Sequence, residues 1–255
     1  MTMTSPTPPA SGLAAARALH ATKVYGSGDT EVRALDDVSI DFEAGRFTAI
    51  MGPSGSGKST LMHCLAALDT PTSGEAVVDG TSLGSLKDKD LTTLRRERVG
   101  FVFQSFNLIP TLTAEENILL PLALAGRKAD PAWFDRVVDS VGLRDRLSHR
   151  PSEMSGGQQQ RVACARALVS RPSVVFADEP TGNLDSTSSA EVLGFLRRSV
   201  DEFQQTVVMV THDPVAAAYT DRVVFLADGR VVEELTAPTR DSILETMARL
   251  TPRVG

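Results

Sequence analysis

A glycine-rich segment with a single lysine contains the residue types that bind a polyphosphate. It consists of Gly52, Pro53, Ser54, Gly55, Ser56, Gly57, Lys58, Ser59 and Thr60, which fits the spacing G-x-x-x-x-G-K-[ST]. Glycines let backbone N–H groups, together with a following helix N-terminus, approach phosphate oxygens closely. We predict that Lys58 contacts the β- and γ-phosphates and that the Ser59 hydroxyl binds Mg²⁺. An ordinary Gly/Ser turn is the alternative, but the segment lies between a strand pattern and a helix pattern, as a phosphate loop requires.

Two carboxylates follow the buried apolar run at 174–177. An Asp-Glu pair after a strand is by itself more often a solvated helix start, but a phosphate loop in the same chain reverses that balance. We therefore predict that Asp178 holds Mg²⁺ and that Glu179 accepts a proton from an attacking water.

Two further polar residues follow apolar runs. His212 comes after the run at 207–210 and Gln104 after the run at 99–103. A lone histidine at a strand end is more often structural, and Gln104 alone would be an ordinary loop residue. Because the strand before His212 follows the Asp-Glu strand along the chain, we predict that His212 contacts the same γ-phosphate.

A serine and two glycines open an alanine-rich helical segment. Ser155 is a suitable N-cap, and Gly156 and Gly157 would expose the helix N-terminus to an anion. The phosphate loop is distant in the sequence, so spacing alone slightly favours a plain capped helix, and both interpretations stay open.

The elements that position these residues predict an α/β fold. The segment 46–51 has a strand pattern and 99–103 has the pattern of a buried strand. The continuous apolar runs at 174–177 and 207–210, with a helical segment between them, indicate a buried parallel sheet. Residues 58 to about 68 and 186–203 have helical patterns. The alternation at 38–42 indicates a half-exposed strand, and 223–232 indicates a hairpin that turns at Asp228-Gly229.

Composition and the positions of proline and glycine set the expected domain boundaries. We expect a disordered tail at 1–17, a folded domain at 18–235 with a helical subdomain at about 105–168, and a C-terminal helical tail at 236–255. The net charge of −6 offers no overall basic surface for nucleic acid. The N-terminus lacks a secretory pattern, and no apolar run approaches the roughly 18 residues that span a bilayer. Cys64 and Cys164 are expected to be buried small hydrophobes.

These motifs, in this order, resemble the nucleotide-binding subunit of ATP-binding cassette (ABC) transporters. The resemblance covers about residues 20–232. The corresponding segments are the Walker A segment 52–60, the Q-loop residue Gln104, the signature 154–158, the Walker B strand 174–179, the D-loop 183–186 and the switch residue His212. It implies a P-loop NTPase core with a mostly parallel sheet, an antiparallel β subdomain and an inserted α-helical subdomain.

The resemblance also assigns roles that the residues alone do not. It implies that two copies stack head to tail and that Ser155, Gly156, Gly157 and Gln158 cap the ATP held by the other copy. Tyr25 would stack on adenine, although an ordinary strand-end tyrosine is the alternative. Gln104 would bind Mg²⁺ and sense the attacking water, and Asp185 would face the partner copy's site.

The flanking residues are similar to the macrolide-exporter and lipoprotein-release branch of the family. That likeness implies a cytoplasmic ATPase at the inner face of the cell membrane, which drives export by a few-span permease. We expect no nucleic-acid partner, because the net charge is −6. The alternative is a force-transmitting ATPase that regulates an extracytoplasmic enzyme such as a cell-wall hydrolase. The apolar segment 106–112 either docks the permease or fills the helical lobe's own core.

Overall fold

The computed structural model describes residues 14–250, which form two sheets with helices packed around them. The strands are β1 Ala14–Tyr25, β2 Val32–Glu43, β3 Phe47–Met51, β4 Ser73–Val78, β5 Thr81–Ser82, β6 Val99–Phe103, β7 Val174–Asp178, β8 Val207–Val210, β9 Arg222–Ala227 and β10 Arg230–Thr236. The helices are α1 Lys58–Leu65, α2 Asp88–Arg98, α3 Ala114–Leu124, α4 Pro131–Val141, α5 Gly156–Leu168, α6 Ser186–Phe203, α7 Pro214–Ala217 and α8 Arg240–Leu250.

The larger sheet has six strands in the order β10-β9-β3-β8-β7-β6. All of its pairings are parallel except that of β9 with β10. Every residue of β3 and β8 is buried, as continuous apolar strands require when helices cover both faces of a sheet. The predicted P-loop core with a mostly parallel sheet is confirmed.

The smaller sheet has four antiparallel strands in the order β2-β1-β4-β5. In β2 the residues from Val38 to Phe42 alternate between buried and exposed, because one face of the sheet packs on the core and the other faces solvent. This confirms the predicted antiparallel sheet.

The predicted helical segment 105–168 contains α3, α4 and α5. Local sequence defines their ends. Thr113 and Glu116 form a capping box at the start of α3. Asp130 caps α4, which begins at Pro131 and ends at Val141, where Gly142 follows in the left-handed conformation.

Several predicted boundaries move. β1 begins at Ala14, so the tail predicted to reach residue 17 is wrong for 14–17, where Ala14 pairs with Glu43 of β2 and Ala16 with Val78 of β4. Residues 1–13 lie outside the described range. Helix α1 ends at Leu65 rather than near residue 68, because Ala67 adopts a left-handed conformation with φ of 57°.

The C-terminal part and the cysteines follow the predictions closely. The hairpin turns at Asp228-Gly229, where both residues have positive φ. β10 continues to Thr236, which is the first residue of the predicted helical tail, and α8 lies within that tail. Cys64 and Cys164 are free and buried, and burial raises their thiol pKa values to about 11 and about 12. Within 14–250, no helix is long and apolar enough to cross a membrane.

Candidate nucleotide-binding and catalytic site

The site lies at the carboxyl edge of four neighbouring parallel strands. β3, β8, β7 and β6 are adjacent in the large sheet. They lead respectively into the loop 52–57, Thr211-His212, Glu179 and Gln104. Open α/β sheets bind ligands at this edge. The sheet therefore brings together four segments that are far apart in the sequence.

The loop 52–57 needs glycine at defined positions. Gly57, which precedes α1, has φ of 97°, and a Cβ there would lie 2.2 Å from the carbonyl oxygen of Ala34. A Cβ on Gly52 would lie 2.0 Å from the carbonyl oxygen of Leu226. Gly55 also has positive φ, but a Cβ on it would meet nothing within 4 Å. Two of the glycines therefore serve close backbone packing, whereas Gly55 serves conformation alone.

Polar groups within this loop fit a phosphate chain. The Ser56 hydroxyl is buried without a hydrogen-bond partner, which is costly unless a bound group satisfies it. The Lys58 Nζ donates to the carbonyl oxygens of Gly52, at 2.9 Å, and Pro53, at 2.8 Å. The ammonium is thereby held across the mouth of the loop.

The Lys58 charge is balanced by carboxylates on β7 and just after it. Burial lowers the pKa of Lys58, while the negative charges of Glu179 and Asp178 act in the opposite direction. Burial raises the pKa of Asp178 and the charge of Glu179 raises it further, against the opposing effects of His63, Lys58 and a hydrogen bond with Ser59. The phosphate loop and the Asp-Glu pair thus form one electrostatic unit.

Ser59 and Asp178 offer Mg²⁺ a suitable donor set. Their hydroxyl and carboxylate oxygens interact with each other, and hard oxygen donors are the ligands that Mg²⁺ prefers. Because Mg²⁺ usually retains waters and uses only one or two protein ligands beside phosphates, this small set fits the ion.

Glu179 has a strained backbone and contacts His212 directly. Its φ is 45°, which is uncommon for a residue other than glycine, and such strain is typical of functional sites. Its N–H donates to the Val210 carbonyl at 2.9 Å, and its own carbonyl accepts from Gly182 N–H at 3.0 Å. The side chains of Glu179 and His212 lie 2.8 Å apart, between Oε1 and Nδ1. In this conformation the Glu179 carboxylate lies beside His212.

Gln104 is attached to the loop that follows Glu179. Its Nε2 donates to Asn183 Oδ1 at 3.2 Å, and Asn183 Nδ2 donates to the Gln104 carbonyl at 3.2 Å. A Cβ on Gly182 would lie 2.7 Å from Gln104 Nε2. A side chain at position 182 would therefore require the Gln104 amide to move.

The serine-glycine segment forms the capped start of α5. Ser155 and Gln158 make a capping box, with Gln158 N–H donating to Ser155 Oγ at 3.3 Å and Ser155 N–H to Gln158 Oε1 at 2.9 Å. A Cβ on Gly157 would lie 2.5 Å from Ser188 Oγ. Asp185 caps α6 through the N–H groups of Thr187 and Ser188, and these hydrogen bonds lower its pKa. This segment thus packs beside the N-terminus of α6.

Tyr25 lies on the smaller sheet, at the end of β1. Its hydroxyl donates to Asp69 Oδ2 at 2.7 Å, and hydrogen bonding with Thr60 connects it to α1. Lys23 Nζ lies 4.9 Å from the centre of the Tyr25 ring and 2.5 Å from Asp69 Oδ1. Tyr25 therefore lies beside the phosphate loop, with 42% of its surface exposed.

Sequence reasoning missed three side chains that position the site. They are Asp69, which holds Tyr25, Asn183, which holds Gln104, and Gln160, which bridges two backbone segments. Asn183 was assigned to the D-loop without a contact. No local spacing marks Asp69 or Gln160, because their partners are distant in the chain.

The fold and the edge-of-sheet constellation define a P-loop nucleotidase. The family described as "ABC transporter" matches residues 35–182. The bacitracin export ATP-binding protein BceA of Halalkalibacterium halodurans is 44% identical, over 84% of this chain and 85% of that protein. The macrolide export ATP-binding/permease protein MacB of Hyphomonas neptunium is 46% identical, over 84% of this chain and 33% of MacB.

A solved cassette has the same fold. The dimeric post-hydrolysis structure of MJ0796 bound to ADP and Pi has a TM-score of 0.78 and 40% identity, and the match covers 88% of this chain and 99% of that one. The chain belongs to the ABC transporter family. It is an ATP-binding subunit with ATP hydrolase activity, as the sequence predicted.

We expect Gly57→Ala to destabilise the chain more than Gly55→Ala. Both changes place alanine at positive φ, at a cost of about 1–2 kcal/mol. Only Gly57→Ala also forces a Cβ against a backbone carbonyl, which should cost about 1–3 kcal/mol more. Urea unfolding without nucleotide measures the difference, and equal losses for the two variants would contradict the packing argument.

Proposed function

We propose that ATP binds at the carboxyl edge of the large sheet and that Glu179 is the catalytic base for its hydrolysis. The observation that carries this proposal is the convergence of Lys58, Asp178, Glu179 and His212, with Glu179 held in a strained conformation. Backbone N–H groups of residues 52–60 and Lys58 would bind the phosphates. Tyr25 would contact the adenine ring.

The proposed chemistry uses a water that attacks the γ-phosphorus. An O–P bond forms, the bond from phosphorus to the bridging oxygen breaks, and ADP leaves with that oxygen. Glu179 accepts the proton that the water loses. The hydrogen bond between Glu179 and His212 orients the carboxylate, and we propose that His212 also contacts the γ-phosphate.

We propose Mg²⁺ as the metal of this site, held by Ser59, Asp178 and Gln104. The ion would neutralise charge on the phosphate oxygens. The chain's own contribution is to hold its oxygen ligands. Asp178 is the last residue of β7. Burial raises the pKa of its carboxyl group, so this group is protonated at a higher pH than an exposed aspartate. Binding of Mg²⁺ should therefore weaken with acidification sooner than at an exposed carboxylate.

We further propose that two copies close over ATP. Ser155, Gly156, Gly157 and Gln158 would then cap the partner copy's γ-phosphate, and Asp185 would face the partner's site. The capping box at Ser155 orders the N-terminus of α5, and a helix N-terminus favours negative charge. Gly157 is buried, but Ser155 is exposed, so a second copy could reach the N-terminus of α5 at Ser155.

We propose that ATP hydrolysis drives a few-span membrane permease in export, with the chain at the inner face of the cell membrane. The similarity to BceA and MacB, whose names describe bacitracin and macrolide export, supports this branch. The substrate class would be a peptide, lipoprotein or drug. Ile109 is 42% exposed while Leu108 packs against the core, so the segment 106–112 serves the core and leaves an apolar side chain for docking.

We expect Glu179→Gln to bind ATP normally and to lose about 10²–10⁴-fold in kcat, because the amide cannot accept the water's proton. Phosphate release and fluorescent-nucleotide binding measure the two effects. The matched control is Glu202→Gln, which changes an exposed glutamate near the C-terminal end of α6. It should leave kcat and ATP binding unchanged. Rapid turnover by Glu179→Gln would refute the assignment of the base.

We expect the Glu179→Gln variant, recovered from native membranes with ATP, to bring a permease with few spans. Slow hydrolysis keeps the nucleotide-bound form together with its partner during purification. Mass spectrometry identifies what is recovered, and Lys58→Ala, which should lose nucleotide affinity, is the control. A permease linked to a cell-wall hydrolase would instead support the force-transmitting alternative, and only soluble partners or nucleic acid would overturn the transporter proposal.

We expect Ser155→Arg to bind ATP as a monomer and to fail to dimerise, because a long cation replaces the cap that faces the partner's phosphate. Light scattering in the Glu179→Gln background measures the ATP-dependent dimer. Ser152→Arg places the same side chain at an exposed position in the preceding turn and should still dimerise. Dimerisation of the Ser155→Arg variant would contradict capping in trans.

A further inference from the structure

The last paired residues of β6 and β7 are Phe103 and Asp178. The residue that follows each of these strands has a proposed function: Gln104 follows β6 and Glu179 follows β7. The β-ladder therefore ends one residue before the position where the spacing between these two segments matters. Side chains have to set that spacing.

Gln160 on α5 bridges this gap. Its side chain is fully buried. Nε2 donates to the Phe103 carbonyl at 3.1 Å and to the Pro180 carbonyl at 2.5 Å. Phe103 directly precedes Gln104, and Pro180 directly follows Glu179. One amide nitrogen thus holds the backbone on both sides of the reacting centre.

This arrangement is not what packing alone would select. The Gln160 Oε1 is buried without a hydrogen-bond partner, and an unsatisfied buried acceptor destabilises a fold. An apolar side chain would fill the same volume without that cost, but it would leave two backbone carbonyls without their donor. The amide is therefore explained by the two carbonyls that it joins.

We propose that Gln160 is a positioning residue for ATP hydrolysis, which sets the separation of Gln104 from Glu179 and ties both to α5. This rests on the proposed function of Glu179. Because α5 begins at Gly156, directly after Ser155, a displacement of that helix is carried to both sides of the reacting centre through one side chain. The hydrogen bonds of the Gln160 side chain go to backbone carbonyls, so Gln160 acts through its neighbours.

The test is Gln160→Met, which keeps an unbranched side chain of similar length and removes both N–H donors. We expect kcat to fall about tenfold or more while ATP affinity changes by less than about twofold, since the phosphate loop is untouched. A purely structural role would not separate kcat from affinity. Steady-state hydrolysis and equilibrium binding of a fluorescent ATP measure the two quantities.

The chain provides a matched control in Gln205→Met. Gln205 is also buried, and its Nε2 also donates to two backbone carbonyls, those of Pro172 at 3.1 Å and Thr206 at 3.2 Å. These lie before the amino ends of β7 and β8, at the edge of the sheet opposite the site. Gln205→Met should lower thermal stability comparably and keep kcat within about twofold of the unmodified chain.

Either of two results would overturn the proposal: full kcat in Gln160→Met, or an equal kcat loss in Gln205→Met. Where Gln160→Met does not fold, Gln160→Asn decides. It keeps an amide but is one methylene too short to join both carbonyls, so kcat should again fall with ATP affinity unchanged. Full kcat in Gln160→Asn would overturn the proposal.

Glu179→Gln, measured in parallel, separates this inference from the proposed function. Loss of turnover in Glu179→Gln with full kcat in Gln160→Met means that the positioning role alone is wrong. Full turnover in Glu179→Gln means that the assignment of the base is wrong, and the positioning role that rests on it falls with it.

Discussion

The parallel pairing of β7 with β6 on one side and β8 on the other is the constraint on which the site depends. It places Gln104, Glu179 and His212 at neighbouring strand ends, although 108 positions separate the first from the last in the sequence. The hydrogen bond from Glu179 N–H to the Val210 carbonyl extends that pairing past the end of the regular ladder. A side chain held by the sheet itself needs little reorganisation before it can act.

The sequence predicted those parts of the fold in which one local pattern determines the outcome. The apolar runs of β3, β7 and β8 are buried and parallel because no alternating polar face competes with that arrangement. β6, which was predicted to be a buried strand, is only half-buried at Val99, Phe101 and Phe103, because it lies at the edge of the sheet. The start of β1 was not predicted because Ala14, Ala15 and Ala16 favour helix by propensity, and pairing with β2 and β4 overrides it. Helix α2 was not predicted either, since Leu94 is its one buried residue.

The features of the candidate site likewise divide into those that the sequence predicts and those that it does not. The phosphate loop and the Asp-Glu pair were predictable, because their chemistry depends on residues adjacent in sequence. The Glu179–His212 contact, the left-handed backbone of Glu179 and the Gln160 bridge were not, because each depends on tertiary geometry between distant segments. Residues 155–158 are a further case, since their proposed ligand belongs to a second copy and only the family resemblance indicates it.

The position of Tyr25 has a consequence for how nucleotide would act on the whole subunit. Tyr25 belongs to the four-stranded sheet, whereas the phosphate loop follows a strand of the six-stranded sheet. A nucleotide held by its base at one end and its phosphates at the other would link the two sheets mechanically. Binding would then suppress hydrogen exchange in β1 and β2 as well as around the phosphate loop. ATP would thus stabilise the contact between the two sheets in addition to supplying the free energy of its hydrolysis.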